Sequence, residues 1–123
     1  MSEVATPHYL FVDEDPLQLS ALRRLLRDLP GEKRSATSGE QALLLTEQQA
    51  PTVVISSYHL PDIDGLSLLA ALRERVPGLI CALHTTQSPE RMLLPPDVIL
   101  LLKPCPPERL RAFLLSAGAS SQS

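Results

Sequence analysis

The feature that most constrains this chain is an alternation between short, nearly uninterrupted apolar runs and longer amphipathic stretches. Tyr9-Leu10-Phe11-Val12, Thr52-Val53-Val54-Ile55, Leu79-Ile80-Cys81-Ala82-Leu83 and Val98-Ile99-Leu100-Leu101-Leu102 are the runs. A strand covered on both faces reads this way, because neither face can be polar. Lys33-Arg34-Ser35-Ala36 is a weaker candidate with the polarity of an edge strand.

The stretches between the runs carry helix signals. Asp15-Pro16 predicts a start, with a carboxylate to cap the first turn and a proline where no N–H is needed. Leu19, Leu22, Leu25, Leu26 and Leu29 then form one apolar stripe, and Pro30-Gly31 is read as the stop. Ser38-Gly39-Glu40-Gln41 fits a capping box for a second helix that ends before Pro51. A third helix is expected from about Leu66 to Val76. A last one is expected from about Pro107 to Ala117, with Gly118 as its C-cap. Between Ser88 and Pro96 the prolines leave room for only a stunted or irregular helix.

Strands alternating with helices imply βαβ units, right-handed crossovers and a parallel sheet covered on both faces. Five repeats in 123 residues predict one three-layer, doubly wound α/β domain of the flavodoxin-like strand order 2-1-3-4-5. Residues 1–8 read as an N-terminal tail, 9–117 as the domain, and 118–123 as a small, polar linker or tail. The expectation is that the natural protein continues beyond it.

Composition narrows the function classes. Fourteen acidic and eleven basic residues are spread along the chain, a formal charge of −3, with no basic cluster of the kind nucleic acid requires. No apolar run approaches the roughly 20 residues that cross a bilayer, and the opening residues do not resemble a secretory signal. A cytoplasmic location is expected. Cys81 and Cys105 have no metal-ligand spacing and read as a buried thiol and a loop thiol of a reducing compartment.

In the 2-1-3-4-5 order the site lies at the carboxyl ends of the first and third strands. Asp13-Glu14-Asp15 follows the first strand and Ser56-Ser57-Tyr58-His59-Leu60-Pro61-Asp62-Ile63-Asp64-Gly65 the third. The fourth strand ends in His84-Thr85-Thr86 and the fifth in Lys103-Pro104. Acids at a strand tip would suit Mg²⁺, although Asp15 can equally be a helix cap and its neighbours solvated loop charges.

These pieces, in this order and spacing, resemble a response-regulator receiver domain (CheY-like) of two-component, phosphorelay signalling, from about Tyr9 to Ala117. The resemblance rests on Phe11-Val12-Asp13-Glu14-Asp15-Pro16, Leu60-Pro61-Asp62-Ile63-Asp64-Gly65, Leu83-His84-Thr85-Thr86 and Leu102-Lys103-Pro104. It implies that Asp13 and Glu14 are the Mg²⁺-binding acidic pair, Thr85 the switch hydroxyl and Lys103 the phosphate-gripping lysine. It also implies that the Lys103-Pro104 bond is often cis. Two positions depart from the family pattern. The phosphoacceptor aspartate falls on Ser57, and the aromatic switch residue falls at about Leu100. A serine hydroxyl is neutral at pH 7 and needs a base to attack, and its presence removes one carboxylate from the metal site.

Three readings follow. The leading one is a degenerate or pseudo-receiver that needs no cofactor, holds Mg²⁺ weakly if at all, and acts by protein–protein contact. A histidine kinase, an output domain or a second copy are its candidate partners, and the face of the fourth helix, fifth strand and fifth helix is the candidate surface. The second keeps a phosphate switch through Ser57, Asp62 or Asp64, the last more simply a cap or turn residue. The third is a small-ligand-binding domain on the same fold, against which stands the absence of a glycine-rich phosphate cradle after the first strand. An enzyme built on Ser57 with His59 or His84 is not expected, because the strained glycine-flanked serine turn is missing and loop histidines are usually solvated.

Overall fold

A computed structural model of the chain describes residues 6–86 and 94–121. The elements in chain order are β1 (His8–Val12), α1 (Pro16–Leu25), β2 (Glu32–Ala36), α2 (Gly39–Gln48), β3 (Val53–Ser56), α3 (Gly65–Arg75), β4 (Ile80–Thr85), β5 (Val98–Leu102) and α4 (Pro107–Ser121). All strands are parallel, in the order β2-β1-β3-β4-β5, as the alternating pattern predicts. The region expected to hold a stunted helix falls largely outside the described residues.

Because side chains alternate along a strand, each apolar run feeds two cores. Tyr9, Phe11, Val53, Ile55, Ala82 and Leu101 face one side, where they meet Leu19, Leu22 and Leu26 of the α1 region and Leu110 and Leu114 of α4. Leu10, Val12, Val54, Cys81, Leu83 and Val98 face the other, against α2 and α3. The central strands β1 and β3 are buried along nearly their whole length, whereas β2 alternates only weakly and sits at the edge. Each fully buried Leu, Ile, Val or Phe contributes about 1.5–3 kcal/mol, so these two layers hold the sheet between its helices.

The helix starts form as their sequences suggest. Asp15 caps α1 by accepting the Leu17 N–H at 3.0 Å, and Pro16 is the first helical residue. Ser38 caps α2 through the Gln41 N–H at 3.1 Å. The return bond of the expected capping box goes elsewhere: the Gln41 side chain accepts the Thr37 N–H at 2.8 Å. Asp64 caps α3 through the Ser67 N–H at 2.9 Å.

Two helix ends differ from expectation. The first helix stops at Leu25 rather than at Pro30-Gly31. Beyond it the chain tightens into i→i+3 bonds at Leu26, Arg27 and Leu29, while the Arg111 guanidinium of α4 donates to the freed Leu25 carbonyl and pairs with Asp28. A partner from another helix thus satisfies the end that a local stop signal would have satisfied. The last helix does not end at Gly118 but continues to Ser121, so part of the stretch read as a linker is helical. Gly118 is needed for proximity: a Cβ there would lie 2.5 Å from the Tyr9 hydroxyl oxygen. At the front, His8 belongs to β1 rather than to the tail.

Gly65 fixes the loop that follows β3. Its N–H donates to the Tyr58 carbonyl at 2.7 Å, and a Cβ would meet the Ser57 carbonyl oxygen at 2.1 Å. Since that obstacle is backbone, it cannot rotate away. The substitution Gly65→Ala is expected to destabilise the domain by about 1–3 kcal/mol, the cost of overpacking, despite alanine's better helix propensity. Urea unfolding of the two proteins measures this, and an unchanged midpoint would contradict the packing described.

Candidate functional site at the strand tips

The register brings the predicted residues to one end of the sheet. Val12 pairs with Ser56, Ser56 with Leu83 and Thr85 with Leu102. Asp13, Ser57 and Lys103 therefore each follow a paired residue at the same edge. Backbone bonds continue the ladder there, from Ser57 N–H to the Val12 carbonyl at 2.8 Å and from Lys103 N–H to the Thr85 carbonyl at 2.8 Å.

Asp13 is buried, and both of its carboxylate oxygens are engaged. Oδ1 accepts the Asp15 N–H at 2.9 Å, and Oδ2 accepts from Lys103 Nζ at 3.0 Å. β1 and β5 are separated by two strands, so the lysine side chain reaches across the tips of β3 and β4 to make this ion pair. The Lys103-Pro104 bond is cis, in keeping with the resemblance. Ser57 is buried, and its Oγ lies 3.5 Å from the His59 carbonyl oxygen, a long contact. Glu14 is exposed rather than turned in beside Asp13. Thr85 is buried at the end of β4, where strand alternation directs it to the α2/α3 side.

Asp62 and Asp64 have other tasks. The Asp62 carboxylate accepts the Gly39 and Glu40 N–H groups, at 2.9 and 2.8 Å, across the start of α2. Those bonds, the one from Gly39 foremost, hold it below the usual carboxylate range. Asp64 is held low in the same way, first by the Ser67 N–H it accepts. Both favour the ionised form where helix N-termini favour negative charge.

The donor set fits Mg²⁺ poorly. Asp13 has given its oxygens to Lys103 and Asp15, Ser57 supplies no carboxylate, and Glu14 faces outward. Among the described residues no three histidine, cysteine or acidic side chains gather as a metal set.

His84 is the residue that sequence reasoning misplaced. It was expected to be a solvated loop histidine, as His59 is, yet it lies inside β4, only 3% exposed, and neither ring nitrogen has a hydrogen-bond partner among the described residues. The available signal was its phase: two residues after the core-facing Ala82, it had to point to the α1/α4 side. Burial pushes its pKa from 6.5 down to about 4, helped by the Lys103 charge and opposed by Asp13.

With the fold and tip geometry in view, comparison with known proteins decides the family: residues 9–114 match the response regulator receiver domain. This chain belongs to that family. The receiver is 38% identical over 81 residues to the positive alginate biosynthesis regulatory protein of Pseudomonas aeruginosa, an alignment covering 61% of this chain and 33% of that protein. It is 34% identical over 70 residues to the transcriptional regulatory protein PrrA of Mycobacterium tuberculosis, covering 57% and 30%. The receiver thus spans about a third of the length of these two relatives. Among solved structures, the signal receiver domain of an HD domain-containing protein from Pseudomonas fluorescens superimposes with a TM-score of 0.87 at 28% identity, covering 98% of this chain and 93% of that one. The chemotaxis response regulator CheY4 of Vibrio cholerae, at 24% identity, shares the fold with a TM-score of 0.82.

The depressed His84 pKa gives this receiver a pH dependence of defined sign. Above pH 6.5 the residue is neutral in both folded and unfolded chains, and its contribution is complete. Between 6.5 and about 4 the unfolded chain binds a proton that the folded one refuses, so stability falls as the pH drops. The loss attributable to His84 is on the order of 2 kcal/mol between pH 6.5 and 5. Urea unfolding of wild type and His84→Leu at both pH values isolates it, since the carboxylates titrate alike in both. Parallel pH profiles would show that the imidazole is not held neutral.

Proposed function

We propose that this receiver of two-component signalling works as a pseudo-receiver, binding protein partners without aspartyl phosphorylation. One observation carries the reading: a buried serine follows the end of β3, at the position where the family resemblance puts the acceptor carboxylate, while Lys103 donates to Asp13. Phosphoryl transfer to a receiver needs an ionised carboxylate as nucleophile, a metal to shield the incoming phosphate, and a lysine free to receive it. Here Ser57 Oγ faces the His59 carbonyl oxygen, which is no general base, and a neutral hydroxyl is a weak nucleophile. The half-buried Leu100 likewise replaces the ring through which such a switch is read.

The alternative acceptors are poorly suited. Modifying Asp62 would break two backbone bonds that cap α2, and modifying Asp64 would uncap α3. In this reading the domain is not an enzyme, needs no cofactor and acts in the cytoplasm; no helix among the described residues is long and apolar enough to cross a membrane. Its partners are proteins: a histidine kinase, an output domain or a second copy. The face of β5 and α4 is the candidate surface, since Ile99, Leu102 and Leu115 are all more than two-fifths exposed there.

Incubation with Mg²⁺ and acetyl phosphate, followed by intact-mass measurement, should leave the wild-type mass unchanged. A stoichiometric, hydroxylamine-labile adduct would overturn the proposal and point to a carboxylate acceptor. The companion substitution Ser57→Asp restores the missing anion and is expected to tighten Mg²⁺ binding by about tenfold or more, as one added carboxylate near a divalent ion should. Unchanged Mg²⁺ affinity would mean that Ser57 does not lie where the site's charge converges.

A further inference from the structure

Folding gathers cations that lie apart in the sequence. Ser20, Arg23 and Arg24 of α1, Arg27 in the tightened turn after it, and Lys33 of β2 line one open groove of about 470 Å³. The spacing 20, 23, 24, 27 sets the first four on one side of the helical turn, away from the buried Leu19, Leu22 and Leu26, and all four are exposed. Lys33 joins them from a different element. Its ammonium donates to the Leu29 carbonyl, which holds it at the groove with two donors left. No acidic, apolar or aromatic side chain is among the described residues that line this space. Asp28 and Glu32, the acids nearest in the chain, lie instead against Arg111 at 3.0 Å and Arg34 at 3.9 Å. The Asp28 carboxyl is held low first by Arg111, and least by Lys33.

The negative end of the helix dipole favours cations in the last turn of α1, which accounts for Arg23 and Arg24 one at a time. It does not account for their crowding. Arg23 and Arg27 are four residues apart, where like charges oppose a helix, and Lys33 adds a further charge from β2. An anion in the groove turns that repulsion into attraction, and the lining says which anion. A nucleic acid or nucleoside would find no ring to stack on, and a protein segment no apolar pocket for an anchor. A single phosphate group carries at most about two negative charges, half of what the four cations balance. We propose that this groove binds a compact anion of two or three linked phosphate groups, held by the guanidinium forks of Arg23, Arg24 and Arg27 and by the Lys33 ammonium. Arginine forks pair with phosphate oxygens two at a time, which a scattered set of lysines does not. An inorganic polyphosphate and the phosphate tail of a nucleotide share this chemistry. Lys33 pairs in register with Tyr9 near the start of the strands, at the end of the sheet opposite Asp13 and Lys103. The proposal is therefore independent of the strand-tip site and of whether the domain accepts phosphate there.

The test is an NMR titration of the ¹⁵N-labelled chain at about 150 mM salt, where loose surface attraction is screened. The probes are tripolyphosphate, ATP, orthophosphate and a hexaglutamate peptide. Tripolyphosphate should give saturable shifts that fit one site and centre on residues 20–27 and Lys33. ATP, whose base and ribose find no partner there, should bind no more tightly. Orthophosphate and hexaglutamate should each bind at least about tenfold more weakly than tripolyphosphate, since one lacks the charge and the other the phosphate geometry. Arg27→Gln and Lys33→Gln should each weaken tripolyphosphate by about tenfold, the loss of one charge-assisted contact. Arg109→Gln, an exposed position on α4, removes the same charge elsewhere and should leave binding unchanged. Should Lys33→Gln disturb the fold, the exposed Arg27 and Arg109 variants still decide. The proposal is overturned if tripolyphosphate gives no saturable shifts, or shifts centred away from the groove. Equal binding of orthophosphate or hexaglutamate would overturn it too, by showing attraction to charge alone. Tighter binding of ATP would do so by showing that a nucleoside is recognised, and an equal loss in Arg27→Gln and Arg109→Gln by showing that no one site exists.

Discussion

The ion pair between the Asp13 carboxylate and the Lys103 ammonium, 3.0 Å apart, ties the first strand of the sequence to the last across the open end of the sheet. Its members are 90 residues apart in the chain, and the lysine must cross two intervening strand tips to make it. Burying an ion costs several kcal/mol unless its partners are well placed. Asp13 meets that condition with two bonds, one to Lys103 and one to the backbone N–H of Asp15.

The acids near the strand tips divide into those that build and one that closes the site. Asp15, Asp62 and Asp64 each accept backbone N–H groups at the start of a helix, and those helices cover the sheet on both faces. Only Asp13 is left to face the lysine.

Much of this was legible in the chain itself. The apolar runs set the strands because a doubly covered strand has no polar face, and Asp15-Pro16 and Ser38 mark helix starts by local hydrogen bonding alone. Features that depend on distant partners were not legible. The leucine stripe of α1 continues in phase to Leu29, so nothing local marks Leu25 as the last helical residue; Arg111, far along the chain, does. Gly118 reads as a cap until the Tyr9 hydroxyl is found beside it. Likewise, five acids within the two tip loops do not say by spacing which caps a helix and which meets a cation. His84 reads as polar and therefore exposed, and only strand phase reveals its burial.

If the Asp13–Lys103 pair is the contact on which the closed strand-tip site depends, the two residues must be energetically coupled. A double-mutant cycle in urea unfolding, with Asp13→Asn, Lys103→Met and the double variant, measures this directly. The account predicts a coupling of about 1–3 kcal/mol, with each single variant losing more stability than the pair's joint removal would suggest, because each leaves one charge buried without its partner. Additive losses, with a coupling within error of zero, would show that the two charges are merely near one another, and would contradict the description of the site as closed by their attraction.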